Sequence, residues 1–532
     1  MSSQLRSGAL RAAYAVGLAC TVSSFGCEFI VGRDALGKPI PVAEPPDDTL
    51  DDHVDSGMGH DAAPEAPADA GSDASDSDAG EVACSHTQDC VDRLGENFLC
   101  HHERAVCVSL LADHCTEVIG DYKNDSALLL GSIGPTTGPN SSTGLSNLWG
   151  IKLAVDDFTV SGNGLPPVEN TGRRPIVVVH CDDAGNTAQA IAGAQHLVSD
   201  LGVSAIIGPS FSGITLSVAS QIAIPAGVLL ISPSATSAAL TDLMDNNLLW
   251  RTSPSDVIQA RAQTLLATRV RGIIQTHQGI IGGSSKTMRL ALLHKGDPYG
   301  IGLAEDVSRS LLWNDGFVSD PNAPYVTRFN YGDPGNPVAA PIQYDEAVAK
   351  VLTLKPHLVL LYGTAEVATL VEMIEAAWDD DLDGARPSYV FADGAHTAEL
   401  SAVIEKVDPD GALQLADRVS GTEPGAMGGN YELFQQLYVS KAEAPPVPIT
   451  FGSANAYDAL YVLAYASVVA GKAHPVGVDL AAAIGKLVPA DGVPRVDVGG
   501  TRINGALKEL LSGGRIESDR RIGTPRLRHQ DR

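Results

Sequence analysis

Residues 204–242, SAIIGPSFSGITLSVASQIAIPAGVLLISPSATSAALTD, decide the fold of this chain. They read as two consecutive strand–loop–helix units. Ala205-Ile206-Ile207 is a short apolar strand closed by Gly208-Pro209, and Ser210 to Gly213 lead into a helix of small and apolar residues ending near Gln221. Val228 to Ile231 is a second continuous apolar strand, followed by Ser232-Pro233-Ser234-Ala235-Thr236-Ser237 and another helical pattern. Apolar strands alternating with helices predict a parallel sheet covered on both faces. Ligands of such sheets sit outside the carboxyl ends of the strands. Both hydroxyl-bearing loops fall there, and both open a helix whose free N–H groups attract an anion.

The same alternation extends outward. Leu128 to Ile133 and Pro175 to Val179 are strands before the quoted stretch, with helical periodicity over Leu148 to Phe158 and Thr187 to Leu201. A second run has strands at Arg289 to Leu293, Leu358 to Tyr362 and Tyr389 to Phe391, the last ending at Ala392-Asp393-Gly394. Helices are expected over Leu303 to Trp313, Val367 to Trp378, Tyr431 to Tyr438 and Ala454 to Val469, and residues 491–532 are weakly patterned with a basic tail. The 532 residues and 44% hydrophobic content suffice for two or three domains. A net charge of −28 argues against nucleic acid and against a basic membrane-binding patch. Residues 44–82 hold thirteen Asp and Glu and no Lys or Arg, so much of that charge is local and says little about a ligand.

Upstream of the α/β pattern lie three other regions. Residues 1–27 have the form of an export signal: Arg6 and Arg11, then an apolar stretch from Ala12 to Gly26 too short to span a bilayer comfortably. Ser24-Phe25-Gly26-Cys27 resembles a bacterial lipobox, although Ser24 stands where Leu is usual, and makes Cys27 the expected lipidated residue. Residues 28–82, rich in Pro, Ala, Asp, Ser and Gly, predict a disordered acidic tether. Residues 83–118 carry Cys84, Cys90, Cys100, Cys107 and Cys115 with no Cys-x2-Cys pair, a poor zinc pattern, and export implies an oxidising compartment. The expectation is disulfides: Cys84, Cys90, Cys100 and Cys107 pair among themselves, and Cys115 pairs with Cys181 to clip the module to the main body.

An ordered series of motifs then gives a family resemblance: GSIGPTTGPNSSTG with GIKLAVDDF, CDDAGNTAQAIAGAQHLV, AIIGPSFSG, LISPSATSAALTD, WRTSPSD, GDPYGIGLAEDV, LKPHLVLLYG, FADG and ANAYDALYVLAYA. Over about residues 125–512 the chain resembles the type 1 periplasmic binding proteins, in their branched-chain amino-acid (Leu/Ile/Val) substrate-binding branch. The resemblance implies an α/β fold of two lobes, each a doubly wound parallel sheet, joined by three crossings and closing on a ligand. Lobe one is expected at 125–265 and 425–490, and lobe two at 286–420 and 491–532. It implies that Ser212, the backbone of Ser234 and Thr236 hold a ligand carboxylate, that Asp393 holds its ammonium, and that Tyr299 lines the second lobe. The competing reading of Ser212 and Thr236 is helix capping, and that of Asp393 a turn before Gly394. Thr143, Thr364 and Ala365 stand near positions often aromatic in relatives, and the C-terminus lacks the family's closing strand.

No cofactor or metal is called for. Asp379 to Gly384 imitates a calcium loop without its twelfth-position Glu, and Gly279 to Thr287 a phosphate loop without the required Gly. Hydrolase signatures are absent, which disfavours an enzyme. The expected role is an exported, lipid-anchored binding protein for an amino acid or similar small polar ligand, partnered by an ABC permease. The alternative is a ligand sensor or cell-envelope interaction protein on the same fold.

Overall fold

The computed structural model describes residues 16–22, 25–31, 82–168, 171–277, 288–314, 316–321, 323, 325–380, 385–425, 429–440, 447–487, 495–513 and 517–519. Most of the acidic tether, the phosphate-loop imitation and Asp381 to Gly384 of the calcium-loop imitation lie outside them. Two sheets organise the described chain. The first has strand order Leu249–Arg251, Leu229–Ser232, Ala205–Ile207, Leu128–Gly134, Ile176–Asp182, Cys115–Ile119, all parallel except the last. The second is built on Val419–Glu423, Ser388–Phe391, Leu358–Tyr362, Leu290–His294 and Val326–Asn330, again parallel. An antiparallel hairpin, Val16–Val22 with Phe25–Val31, continues the second sheet beyond Val419–Glu423 and sets Cys20 opposite Cys27.

The continuous apolar strands are explained by burial on both faces. In the first sheet Leu128, Leu130, Ile176, Val178, Ile207 and Ile231 face one core, and Ile133, Val179, Ile206 and Leu230 face the other. The second sheet repeats this, with Leu290, Leu292 and Leu360 on one side and Leu293, Val359 and Leu361 on the other. Period-two alternation places successive residues of each strand in different cores, and the polar exceptions are paired, as Ser132 with His180 at 2.8 Å. Truncating one of these residues, such as Leu360, to Ala costs about 2–5 kcal/mol. Helix Ser453–Ala470 lacks an amphipathic pattern because it is buried nearly all round, against helix Ser141–Val160 and the first sheet.

Two expected boundaries move. Helix Asp256–His277 buries Leu266, Ala267, Val270 and Ile274 in a core of the second lobe, so residues 256–265 leave lobe one. Helix Ile503–Leu511 belongs to lobe one, not lobe two. Its Ile503, Ala506, Leu507 and Leu510 recur on one helical face and fill the core beside Phe158 and Tyr461. Among the described residues the chain therefore crosses between lobes twice: between Arg251 and Asp256, and between Val419–Glu423 and Gly429–Ser440. A short terminal strand, Glu517–Asp519, does occur, but it pairs in parallel with Arg495–Asp497 in a separate ladder.

The cysteine module is a helix, Thr87–Leu94, and a hairpin of Phe98–Cys100 with Cys107–Ser109. Disulfides join Cys84 to Cys100, Cys90 to Cys107 and Cys115 to Cys181. Three of the module's sulfurs, on Cys84, Cys90 and Cys107, come within 4.8 Å of one another, but as disulfides they offer no thiolate to a metal. Leu99 and Leu110 of the module share a core with Leu197, Leu201 and Val203 of lobe one, and Cys115–Ile119 covers the edge of the sheet.

Candidate ligand-binding site

The lobe-one half of the site is built on the two loops of the opening stretch. Gly208 has φ +112°, and a side chain there would strike the Ile133 carbonyl oxygen, so only glycine lets the first loop turn beside the neighbouring strand. The Ser232 hydroxyl then donates to the Pro209 carbonyl at 2.6 Å and accepts from Ala235 N–H at 3.1 Å. Ser234 donates to the Ser210 carbonyl at 2.9 Å, and Ser212 accepts from Ser237 N–H at 3.2 Å. Ser210 in turn accepts from the Asn147 amide at 3.2 Å. These bonds tie the loops to each other. The capping reading and the binding reading of Ser212 are therefore not exclusive: its lone pair serves the second loop while the residue lines the cleft.

The lobe-two half is carboxylate-rich. Asp393 lies at the carboxyl end of Ser388–Phe391 and is buried. It accepts from the Tyr299 hydroxyl at 2.9 Å, while that hydroxyl accepts from Gly394 N–H at 3.2 Å. Burial pushes the Asp393 carboxyl up to about 6, opposed by hydrogen bonding from Gln259 and Tyr299. Asp256, in the first turn of its helix, is also buried. Desolvation first, then the charge of Asp393, raises its carboxyl well above the usual range, against Thr236 and Arg251, which favour the charged form. Behind this pair, Lys295 sits 3.3 Å from both Asp297 and Asp333. Its burial favours the neutral form, but the Asp297, Glu366 and Asp333 charges win and raise its pKa.

The two halves meet. Ser212, Ser234, Thr236, Tyr299 and Asp393, the five residues expected from the sequence, line one cavity together with Thr143, Ser210, Phe211, Asp297, Thr364, Gly394, His396 and Phe451. Its aromatic walls are Phe211, Phe451 and Tyr299, which replace those absent at Thr143 and Thr364. Phe211 was visible inside the opening motif, whereas Phe451 and Asp297 reach the cavity through tertiary packing that no local pattern announces. Direct bonds hold the lobes together here: Ser237 donates to the Pro298 carbonyl at 2.9 Å, Ser142 to Glu399 at 2.9 Å, and Ala365 N–H to the Asn140 side chain at 3.1 Å. The Lys295 ammonium lies 5.5 Å from the Phe211 ring centre, a cation–π contact across the cleft. The cavity measures about 30 Å³, room for water rather than for an amino acid. The cleft is closed, and a larger occupant requires the lobes to part.

A family model described as periplasmic binding protein matches residues 128–508. The chain belongs to the periplasmic binding protein family. This periplasmic binding protein is 27% identical over 215 residues to an amino acid binding protein of Pseudomonas aeruginosa, covering 39% of the chain and 48% of the relative. It is 30% identical over 179 residues to a Leu/Ile/Val-binding protein of Citrobacter freundii, covering 34% and 42%. The matched segments span less than half the length of these curated relatives. Among solved structures, a branched-chain amino acid transporter substrate-binding protein of Streptococcus pneumoniae, in complex with isoleucine, aligns with TM-score 0.50 at 21% identity, over 69% of this chain and 90% of that one. That likeness is one of fold.

Proposed function

We propose that this chain is an exported solute-binding protein that captures a zwitterionic amino acid, or a similar small polar ligand, between its lobes for an ABC permease. The carrying observation is the placement of opposite chemistries on opposite lobes: Ser212 and Thr236 on one side of the cavity, Asp393 with Tyr299 on the other. Hydroxyls and helix N-termini suit a carboxylate, and a buried carboxylate suits an ammonium. A ligand carrying both groups favours the closed arrangement over the open one, which is the differential affinity a hinge motion needs. Its relatives include an amino acid binding protein and a Leu/Ile/Val-binding protein, which supports the ligand class. Export and lipidation at Cys27 rest on the signal-like N-terminus, and an acyl chain there would hold the protein to a membrane through the acidic tether. No catalytic step is assigned to the cleft.

A second role, sensing or interaction at the cell envelope, is favoured by one observation: the disulfide-clipped module seated on lobe one, outside the matched region. A thermal-shift screen over the amino acids tests the ligand class. A raised melting temperature with at least one of them, lost in Asp393→Ala and reduced in Thr236→Ala, is expected. No shift with any, or an undiminished shift in both variants, overturns the proposal.

A further inference from the structure

A second cavity lies away from the cleft. It lies between the cysteine module and lobe one, has a volume of about 380 Å³, and so falls within the size class of small-molecule pockets. Its floor is the amino end of the first sheet, at Leu129, Val177 and Val228. The cleft sits at the carboxyl end of the same strands. Strand Leu128–Gly134 alone separates the two by about 20 Å.

Three histidines define the polar side. The rings of His102, from the module, and His474, from lobe one, stack with centroids 4.4 Å apart, and His101 stacks on His102 at 5.4 Å. Stacked rings keep their nitrogens in parallel planes, so one ion cannot bond both at the roughly 2 Å a metal requires. His101 is only 5% exposed. Its Nδ1 accepts from the N–H groups of Glu103 and Arg104, each at 3.3 Å, which leaves the proton on Nε2. Desolvation keeps the ring neutral. No described residue accepts from that Nε2–H, and His101 lines the cavity. Arg104 lines it too. Its guanidinium donates to the Asp200 carbonyl and has no carboxylate partner among the described residues. Two carboxylates also line the cavity: Asp125 accepts from Thr87 N–H at 2.7 Å and pairs with His86 at 3.0 Å, and Glu103, largely exposed, lies 3.8 Å from His102. The His101 and Arg104 donors therefore share the cavity with the apolar side chains of Leu129, Val177 and Val228.

We propose that this cavity is a second ligand site, which takes a small monocarboxylate with an apolar tail, the carboxylate on Arg104 and His101 and the tail against Leu129, Val177 and Val228. The site depends on the module, because Arg104 and His101 belong to it, and it does not depend on what the cleft binds. The probe is hexanoate, titrated into the full exported chain and followed by the ring Cε1–H signals of His101, His102 and His474, each assigned from a His→Gln variant. Saturable shifts are expected with hexanoate and not with hexylamine. Arg104→Ala, on the exposed rim, weakens binding at least about tenfold, as loss of a charge-assisted hydrogen bond does. Val476→Trp, which fills the mouth from a half-exposed position, does the same without touching the core. Asp393→Ala leaves the shifts intact. Absence of saturable shifts overturns the proposal, as does equal binding of hexylamine or loss of binding in Asp393→Ala. Binding seen only after deletion of residues 32–80 would assign the cavity to the chain's own acidic tether and equally overturn it.

Discussion

The two halves of the cleft solve the same problem in opposite ways. Lobe one offers hydroxyls and backbone N–H groups, all neutral, with Ser232, Ser234 and Ser212 already bonded into the loops they belong to. Lobe two offers buried ionisable groups, Asp393 and Asp297 at the cavity wall, with Asp256 and Lys295 buried near them. A neutral half costs little to desolvate and holds its shape with or without ligand. A charged half is expensive to bury alone and gains most when an opposite charge arrives. The difference teaches that lobe one sets where the ligand sits and lobe two makes closure depend on the ligand's presence.

The comparison breaks first at Asp393. Asp393→Ala leaves a ligand ammonium buried without its counter-charge and lowers amino-acid affinity by about 2–5 kcal/mol, read by titration calorimetry. An effect below tenfold would mean that lobe two does not supply the ammonium contact. Next in size is the clip between module and lobe one. Replacing both Cys115 and Cys181 by Ser lowers stability by about 2–4 kcal/mol, read as a denaturant midpoint under oxidising conditions. Cleft affinity should hardly change, since the bond lies on the strand edge beside Ile176–Asp182. On the neutral half the effects are smaller: Ser212→Ala and Thr236→Ala each cost about 1 kcal/mol of affinity or somewhat more. Should either exceed Asp393→Ala, the division of labour between the lobes is reversed.

The smallest effect is in pH. The Asp393 carboxyl is raised to about 6 in the folded chain, against an ordinary value near 3.8. Between those values the native state binds more protons than the unfolded chain, so this group makes stability fall as pH rises through that window and relieves the cost on acidification. Ligand binding runs the other way, because the ammonium needs the carboxylate. Affinity is expected to weaken from pH 7 to pH 5 in the wild type and to stay flat in Asp393→Asn. A flat wild-type profile would place the ionised group elsewhere.

Much of this was written into local patterns. The hydroxyl loops at Ser212 and Thr236 and the Asp393 turn follow continuous apolar strands, and the strand period and its exits place them at one end of two sheets. Other parts were not. Leu249–Arg251 and Val419–Glu423 are strands of mixed composition that take their form from parallel neighbours on the sheet rather than from their own residues. Helix Ile503–Leu511 falls in a stretch that reads as weakly patterned, and its short apolar face does not say which lobe it covers. Asp256 reaches the cleft region because its helix starts where the chain crosses between lobes, a fact of tertiary geometry. The His102–His474 stack joins residues far apart in the chain, and only the docked module brings them together.

The central claim is that one ligand bridges a neutral half and a charged half. Calorimetric titration of the amino acid giving the largest thermal shift, at pH 7, into wild type, Thr236→Ala, Asp393→Ala and the double variant tests it most directly. The account predicts that both single variants lose affinity, Asp393→Ala the more, and that the double variant shows no measurable binding. Wild-type affinity in Asp393→Ala would contradict it.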